Sequence, residues 1–364
     1  NYPDLMNTAL PNCDYYIAKK AFFWDLSPDA TIAPIDDRDQ PIGTDVATLE
    51  KLLRSQAEKA GNSIYTVSGF VPWHLKYTSY ADPQSSMAEV ASEWRMIDII
   101  STYHGQLDAD AMGMVGISNC SVFSKVPQLD EYKQNNDKGA SNTLEYDPDT
   151  DYILFYMGDY DAGSWTSSML PRLWDDPDRD GDVPLAWPIN SDLINRIPHM
   201  YNYMYKTAGE NDYFVTGDNG TGYLNPMFLE GSNVPAGMTD FLDVWKNHNI
   251  AANRKFDIDI TGFLIAGNAG TVTETVQAAY SEMTPRGVVY QGGVLNQIYN
   301  DTPFVQYLDI GAQIPLSNAG AIADTIASQL ASRKQFHCFR SVLTAPSVIE
   351  GIVDKLRENY PDQK

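Results

Sequence analysis

Residues 152–161 read YILFYMGDYD, and this stretch decides the fold class. Its first six residues are all apolar or aromatic, with no alternation between polar and apolar side chains. Such a run is typical of a strand whose two faces are both covered, as in a parallel sheet flanked by helices. The run ends abruptly at Gly158 and Asp159. The stretch therefore predicts a buried parallel strand that presents a carboxylate at its carboxyl end.

Similar short runs recur along the chain and alternate with helical patterns. Repeated strand-then-helix units indicate a parallel sheet. The nine candidate strands are residues 15–26, 63–71, 111–117, 152–157, 184–189, 213–216, 256–266, 287–291 and 336–343. This number favours an α/β fold of the (β/α)8 TIM-barrel type, regular or distorted, with one strand extra or misread.

An open doubly wound sheet is the alternative architecture. The sequence has no glycine-rich dinucleotide fingerprint after the first candidate strand, which weakens that alternative. No linker rich in proline, glycine or serine divides the chain. We therefore expect residues 1–364 to form a single barrel-like domain.

The composition restricts the class of partner. The 364 residues carry a net charge of −23, which argues against a nucleic-acid partner because phosphates would be repelled. The 22 tyrosines and seven tryptophans fit carbohydrate binding, since sugar rings stack on aromatic faces, although core packing also uses such rings. No stretch of about 18 apolar residues predicts a membrane span. Three distant cysteines, with no C-x-x-C pair, make a thiolate metal site improbable.

Polar residues follow the candidate strands at the points where each strand ends. In a parallel barrel the carboxyl ends of the strands meet at one rim, and that rim carries the ligand site. The polar and aromatic residues that this reading places at the rim are Asp25, Trp73, His74, Asn119, Asp159, Asp161, Asn190, Asp218, Asn268 and Arg340.

Four carboxylates are the candidate catalytic residues. Asp159 and Asp161 lie two positions apart, so in an extended segment both side chains point to the same side. Two close carboxylates favour one protonated and one ionised group, which glycosidic cleavage by general acid catalysis requires. The same pair could hold a cation, and Asp161 could simply cap the next helix. Asp218 and Asp25 are the other candidates, with turn formation as their structural alternative.

The candidate substrate-binding residues combine aromatic rings with polar groups that can bond hydroxyls. Trp73, Trp165 and Tyr223 could stack on sugar rings, although each could equally be a packing residue. The full predicted set is Trp73, His74, Asn119, Trp165, Asn190, Asn219, Tyr223, Asn268 and Arg340.

Residues 175–182 form an acidic segment that is a candidate metal-binding loop. Asp176, Asp178 and Asp180 alternate and are followed by a glycine and by Asp182, a pattern that can wrap Ca²⁺. The twelfth position is Trp187 where an EF-hand has glutamate, so an EF-hand is excluded. A looser calcium loop and a solvated acidic loop both stay open. No other cofactor is required by the sequence.

Residues 217–226 read GDNGTGYLNP, a turn-rich loop after an apolar strand and a candidate ligand loop. Residues 220–226 resemble the signature of the GxGYxYP family of putative glycoside hydrolases, with Asn225 where the signature has tyrosine. Residues 14–28, 158–165, 185–193 and 211–226 resemble the family's C-terminal domain in the same order, so the resemblance covers about 14–226. It implies a TIM-like fold, and the family-matched positions are Gly220, Gly222, Tyr223 and Pro226.

The resemblance and the rim residues together predict a glycoside hydrolase that uses carboxylate general acid/base catalysis on an oligosaccharide or polysaccharide. A non-catalytic glycan-binding protein and a metal-dependent carbohydrate-active enzyme are the alternatives. The composition and the resemblance also suggest a bacterial protein that is secreted, periplasmic or at the cell surface. Because family members often carry a separate N-terminal domain, we expect the chain to be a trimmed or mature form.

Overall fold

The structure is a computed structural model that describes residues 13–24, 26–34, 37–69, 89–108, 118–136, 147, 149–160, 162–291, 297–330 and 336–362. The strands in these ranges are β1 (Tyr65–Ser68), β2 (Gly105–Asp108), β3 (Tyr152–Gly158), β4 (Leu185–Ile189), β5 (Asp212–Thr216), β6 (Ile260–Ile265), β7 (Gly287–Gln291), β8 (Gln297–Tyr299), β9 (Thr302–Ala312) and β10 (Phe336–Val342). The helices are α1 (Cys13–Ala18), α2 (Thr44–Ala60), α3 (Glu89–Thr102), α4 (Cys120–Phe123), α5 (Gly163–Ser168), α6 (Leu170–Trp174), α7 (Pro198–Thr207), α8 (Leu242–Lys255), α9 (Glu274–Met283), α10 (Ala319–Leu330) and α11 (Pro346–Asn359).

Seven parallel strands close into a barrel. Their order around it is β3, β4, β5, β6, β7, β9 and β10, and the pairing of β10 with β3 completes the ring. The neighbouring strands in this ring all run parallel, whereas β8 pairs only with β9 and is antiparallel to it. The carboxyl ends of the seven strands therefore share one rim of the barrel.

Both faces of β3 are buried in its second half, residues 155–158. On β3, Tyr156 points into the barrel, where it stacks on Phe263 of β6 with ring centroids 5.8 Å apart. Its neighbours Phe155 and Met157 point outward into the core beneath the helices. Because successive side chains of a strand alternate between faces, a strand buried on both sides must be apolar throughout. This explains the unbroken apolar run of residues 152–157.

The segment before the barrel forms a separate small layer. Strands β1 and β2 pair in parallel, with Tyr65 opposite Gly105, and helices α2 and α3 pack beside them. Leu107 of β2 and Tyr223 of the loop after β5 exchange two backbone hydrogen bonds, 2.8 and 2.9 Å long. Buried side chains of this layer are continuous with those inside the barrel. The small layer is thus attached to the barrel at the signature loop.

The prediction of a closed α/β barrel with helices is confirmed, but the described strands of the barrel number seven rather than eight. Residues 15–26 were expected to be its first strand, yet residues 13–18 form α1 and no strand follows in the described part up to Trp24. Their aromatic composition misleads, because it lacks the alternation that a strand shows. The expected strand 63–71 becomes β1, outside the barrel, and residues 111–117 lie outside the described ranges.

A hairpin that the sequence analysis missed supplies the barrel strand β9. Strands β8 and β9 are joined by Asn300 and Asp301, whose φ angles are +48° and +61°. Two consecutive residues with positive φ form the turn that matches the twist of a hairpin, and Asn and Asp tolerate this conformation best after glycine. The Asn-Asp pair was the signal for this strand.

Two further findings concern the whole set of described residues. All three cysteines belong to it, and none forms a disulfide. Among its helices, none is both long enough and apolar enough to cross a membrane.

Candidate functional site

One arginine joins two carboxylates at the carboxyl-end rim of the barrel. Arg340 lies near the end of β10, and its Nη2 donates to Oδ1 of Asp159 at 2.8 Å. Its Nη1 donates to Oδ1 of Asp309 on β9 at 2.9 Å. Asp159 follows β3 directly, so three consecutive strands of the ring, β9, β10 and β3, bring these groups together. We call Asp159, Arg340 and Asp309 the acidic triad.

The arginine of the acidic triad points into the barrel. Its guanidinium carbon lies 4.9 Å from the ring centroid of Phe263 and 5.8 Å from that of Tyr307. Gly158 makes room for it, because a Cβ at this position would lie 3.1 Å from Nε of the arginine. Burial opposes the charge of Arg340, but its neighbours, first Asp159, then Tyr307 and the hydrogen bond with Asp309, together raise its pKa above the usual value. The guanidinium therefore stays charged.

The two carboxylates of the acidic triad are open to solvent. The side chain of Asp159 is 37% exposed and that of Asp309 is 53% exposed, whereas that of Arg340 is only 17% exposed. Asp159 also has a φ of +74°, an uncommon conformation for a residue with a side chain. Such conformations persist where the surrounding structure holds them, and they cluster at functional sites. The rim thus presents two accessible carboxylates held by one partly buried cation.

The signature loop 217–226, in contrast, is almost entirely buried. The side chain of Asn219 has no exposed surface. Its Nδ2 donates to the carbonyls of Leu224 at 2.6 Å and Ile265 at 3.0 Å, and its Oδ1 accepts from the amide of Ile265. These contacts hold the loop against the end of β6. Asn219 was predicted to bind substrate, but both Nδ2 and Oδ1 of its side chain form hydrogen bonds with backbone groups.

The two motif glycines give room to side chains from neighbouring elements. A Cβ on Gly222 would lie 2.7 Å from Cδ of Gln106 on β2, and one on Gly220 would overlap Oδ1 of Asn249 on α8. The same Oδ1 accepts a hydrogen bond from the amide of Thr221 at 2.9 Å. The glycines are therefore needed for close packing of the loop against β2 and α8.

Asn225, which replaces the second tyrosine of the signature, is also buried. Its backbone amide donates to Oγ of Ser101 on α3 at 2.8 Å. Its side-chain Nδ2 donates to the carbonyl of Ala266 at 2.8 Å and to Oδ1 of Asp98 at 3.1 Å. The residue thus ties α3 to the end of β6. This departure from the signature affects the junction between the small layer and the barrel.

Comparison with known proteins identifies the family. The sequence matches the GxGYxYP putative glycoside hydrolase C-terminal domain over residues 149–361. The chain belongs to the GxGYxYP family. The match begins just before β3 and ends after α11, so it covers the barrel: it includes residues 149–226 of the expected resemblance, extends beyond them, and does not include residues 14–148.

A solved structure shares the fold of this GxGYxYP chain. It is a putative hydrolase from Bacteroides thetaiotaomicron VPI-5482, 18% identical in sequence, with a TM-score of 0.57. The alignment covers 73% of this chain and 52% of the other, so this chain spans about half the length of that structure. No curated protein matches the sequence. At this identity the likeness concerns the fold alone.

The other rim residues predicted from the sequence are dispersed in the GxGYxYP fold. Asp218 and Tyr223 are buried in the signature loop. Asn190 is buried too, and its Oδ1 accepts from the amide of Asp192 at 3.2 Å, which caps the turn Ser191–Asn195. Trp165 on α5 packs against the core beneath the helices. Asn119 is exposed at the start of α4.

Several predicted positions cannot be placed. Asp25, Asp161, Trp73 and His74 lie outside the described residues, and the side chain of Asn268 does so as well. Their predicted roles stay predictions.

The acidic segment after α6 contacts the first turn of α11 through Asp176. Asp176 accepts hydrogen bonds from the amide of Ser347 at 3.1 Å and from its Oγ at 2.8 Å, at the first turn of α11. Asp180 lies 3.5 Å from Arg179, whose own charge pairs with the buried Asp212. Across the described ranges, no group of three or more His, Cys, Asp or Glu side chains is arranged to hold a metal ion. The structure thus gives no support to calcium binding by Asp176, Asp178, Asp180 and Asp182.

A second polar cluster lies where the small layer meets the barrel. Oδ2 of Asp192 accepts from Nε2 of Gln106 and lies 3.2 Å from Nε2 of His248 on α8. The hydrogen bond with Asp192 raises the pKa of His248, against the opposing effect of its burial. This cluster contributes to the contact between β2, the turn after β4 and α8.

The sequence analysis missed Asp309 because it missed β9. Within FVQYLDIGA, residues 304–312, Tyr307 and Asp309 recur at the two-residue period of a strand. This period places both side chains on the inner face of the barrel, the face that Arg340 occupies on β10. Alternation after the Asn-Asp turn was the signal that could have found them.

Proposed function

We propose that this chain is the catalytic domain of a glycoside hydrolase whose acid/base pair is Asp159 and Asp309. The observation that carries the proposal is the acidic triad, in which carboxylates from two different strands of a closed parallel barrel share one partly buried arginine. Glycosidases use two carboxyl groups on opposite sides of the scissile bond. Membership of the GxGYxYP family supports the same class of reaction.

The charge balance of the triad suits the chemistry. Two carboxylates and one guanidinium give a net charge of −1 when all three are ionised. The transition state of glycosidic cleavage develops positive charge on the sugar ring, which a net negative site stabilises. The arginine contacts only Oδ1 of each carboxylate, so Oδ2 of each can face the substrate.

The two carboxylates have different surroundings, which suggests different roles. The side chain of Asp159 is less exposed than that of Asp309, 37% against 53%, and Asp159 has the strained backbone that holds it at the end of β3. We assign Asp159 the ionised role, as nucleophile or base. Asp309 is more exposed and is assigned the role of proton donor to the leaving group. Asp161 lies outside the described residues and stays a predicted alternative donor.

The test is hydrolysis of a panel of glycans and aryl glycosides by the wild type and by Asp159→Asn and Asp309→Asn. Asp354→Asn, at an exposed acidic position on α11, is the matched control. We expect each triad variant to lose at least about a hundredfold in kcat and the control to be unchanged. Asp309→Asn should recover on substrates with highly activated leaving groups, which do not need a proton donor.

Unchanged turnover in both triad variants would remove the triad from the mechanism. Binding of glycans by the wild type with no turnover on any of them would instead indicate a non-catalytic glycan-binding protein.

A further inference from the structure

A buried tyrosine beneath the acidic triad has a hydroxyl group that bonds to none of the described residues. Tyr307 is buried on the inner face of β9, and among the described residues its Oη bonds to nothing. It precedes Asp309 by two residues on the same strand, about 7 Å along the strand, so it lies deeper in the barrel. Its ring stacks on Phe263, with centroids 5.2 Å apart. Burial raises its pKa, so the hydroxyl keeps its proton.

A second unused polar atom lies on the neighbouring strand. Gln291 ends β7, and its buried Oε1 likewise has no partner in the described part of the protein. In the pairing of β7 with β9, Tyr290 lies opposite Gln306. The next residue on each strand, Gln291 and Tyr307, therefore lies at the same level of the sheet. Val289, two residues earlier, faces the barrel interior, and alternation places Gln291 on the same face. The two groups are therefore neighbours inside the barrel.

Unpaired buried polar groups reduce stability, so they require an explanation. Each such group is less stable than one with a hydrogen-bond partner, and native proteins contain few of them. Phenylalanine at 307 would keep the stacking without this cost. Two such groups side by side, directly below two solvent-exposed carboxylates, are explained if a ligand completes their hydrogen bonds.

The chemistry of the two atoms restricts the ligand. The hydroxyl of Tyr307 can donate, whereas Oε1 of Gln291 can only accept. A ligand that satisfies both must itself accept one hydrogen bond and donate another. A sugar hydroxyl does both, but a carboxylate or sulfate can only accept. An anionic group would also meet the net negative charge of the acidic triad.

Resting on the proposed function, we propose that Tyr307 and Gln291 form the innermost sugar subsite, and that this subsite takes a neutral, hydroxyl-bearing ring. Tyr307 donates to a ring hydroxyl, and Gln291 accepts from the same or an adjacent hydroxyl. The two residues position the sugar beneath Asp159 and Asp309, and they discriminate against uronic acids and sulfated sugars.

The experiment compares pairs of nitrophenyl glycosides that differ only in bearing a hydroxymethyl group or a carboxylate at the sugar's C6. The wild type should hydrolyse the neutral member at least about a hundredfold better in kcat/KM, since like charges in a desolvated site cost several kcal/mol. Tyr307→Phe should lower kcat/KM on the neutral glycoside about tenfold, the value of one hydrogen bond. Its thermal midpoint should not fall, because the lost hydroxyl has no partner within the described ranges of the protein.

The matched control is Tyr290→Phe. Tyr290 lies on the outward face of β7, and its hydroxyl approaches the carbonyl of Gly270 at 3.4 Å. This variant makes the same chemical change away from the subsite, so its kcat/KM should equal that of the wild type. Calorimetric binding of neutral oligosaccharides to the wild type and to Tyr307→Phe provides a readout that does not depend on catalysis.

The outcomes separate this inference from the proposed function. Hydrolysis by the wild type with unchanged kinetics in Tyr307→Phe, or equal turnover of both members of a pair, overturns the subsite and leaves the hydrolase standing. Binding of neutral glycans that Tyr307→Phe weakens, without any hydrolysis, overturns the hydrolase and supports the subsite. Neither binding nor hydrolysis overturns both.

Discussion

Replacing Asn219 tests whether the signature loop is built for structure. The side chain lies entirely beneath the surface, at the join between the loop after β5 and the end of β6. Asn219→Ala would remove the donor to two backbone carbonyls, those of Leu224 and Ile265, and the acceptor for the amide of Ile265. The small alanine side chain could replace none of these hydrogen bonds.

The magnitude follows from these three contacts. A hydrogen bond contributes about 1 kcal/mol net, and a buried group left without a partner costs at least as much. Three lost bonds therefore predict about 3 kcal/mol of lost stability, since the site is closed to water. This is a large part of the 5–15 kcal/mol that typically holds a folded protein together.

The assay is urea unfolding followed by fluorescence, with the free energy of unfolding obtained from the midpoint and slope. Asn318→Ala, at an exposed asparagine, is the control and should change the free energy of unfolding by less than about 0.5 kcal/mol. Wild-type stability of Asn219→Ala together with lost activity would refute the structural role. That result would return Asn219 to the substrate-binding set.

Three further changes test other contacts. Gly222→Ala should cost about 1–3 kcal/mol by crowding Gln106, and an unchanged urea midpoint would contradict this packing. Asp176→Ala should lower the free energy of unfolding by about 1 kcal/mol, because the first turn of α11 loses a cap. Thermal scans should show the same loss with a chelator and with added Ca²⁺. A calcium-dependent loss would instead indicate a metal loop. The hydrogen bond of His248 to Asp192 raises the histidine pKa above 6.5, so its stabilisation is complete at lower pH and disappears as pH rises through the raised value. His248→Gln should make the free energy of unfolding less dependent on pH between about pH 6 and 8. An unchanged pH dependence would contradict a stabilising pair of His248 and Asp192.

Two of the three residues of the acidic triad could be predicted from the sequence. Asp159 and Arg340 each follow or end an apolar run that is recognisable as a buried strand, and both do lie at the rim. Asp309 could not be found in this way, because β9 is only partly buried and mixes polar with apolar residues. Its antiparallel partner β8 is three residues long, too short to show a period.

The signature loop shows the opposite error. Its glycines, amides and tyrosine have the composition of a ligand loop, and composition alone does not separate that role from a buried junction. The decisive contacts come from Gln106 and Asn249, which are distant in sequence.

The amino-acid pattern alone was enough to predict the class of the fold, because a strand that is buried on both faces requires an unbroken apolar run, and such runs alternate here with helical patterns. It also determined that carboxylates would follow those runs. Which carboxylates lie close together depends on the folded barrel. Closure of the ring through β9 and β10 places Asp309 and Asp159 on either side of Arg340. Electrostatic pairing acts over a few ångströms in space, and separation along the chain carries no record of that distance.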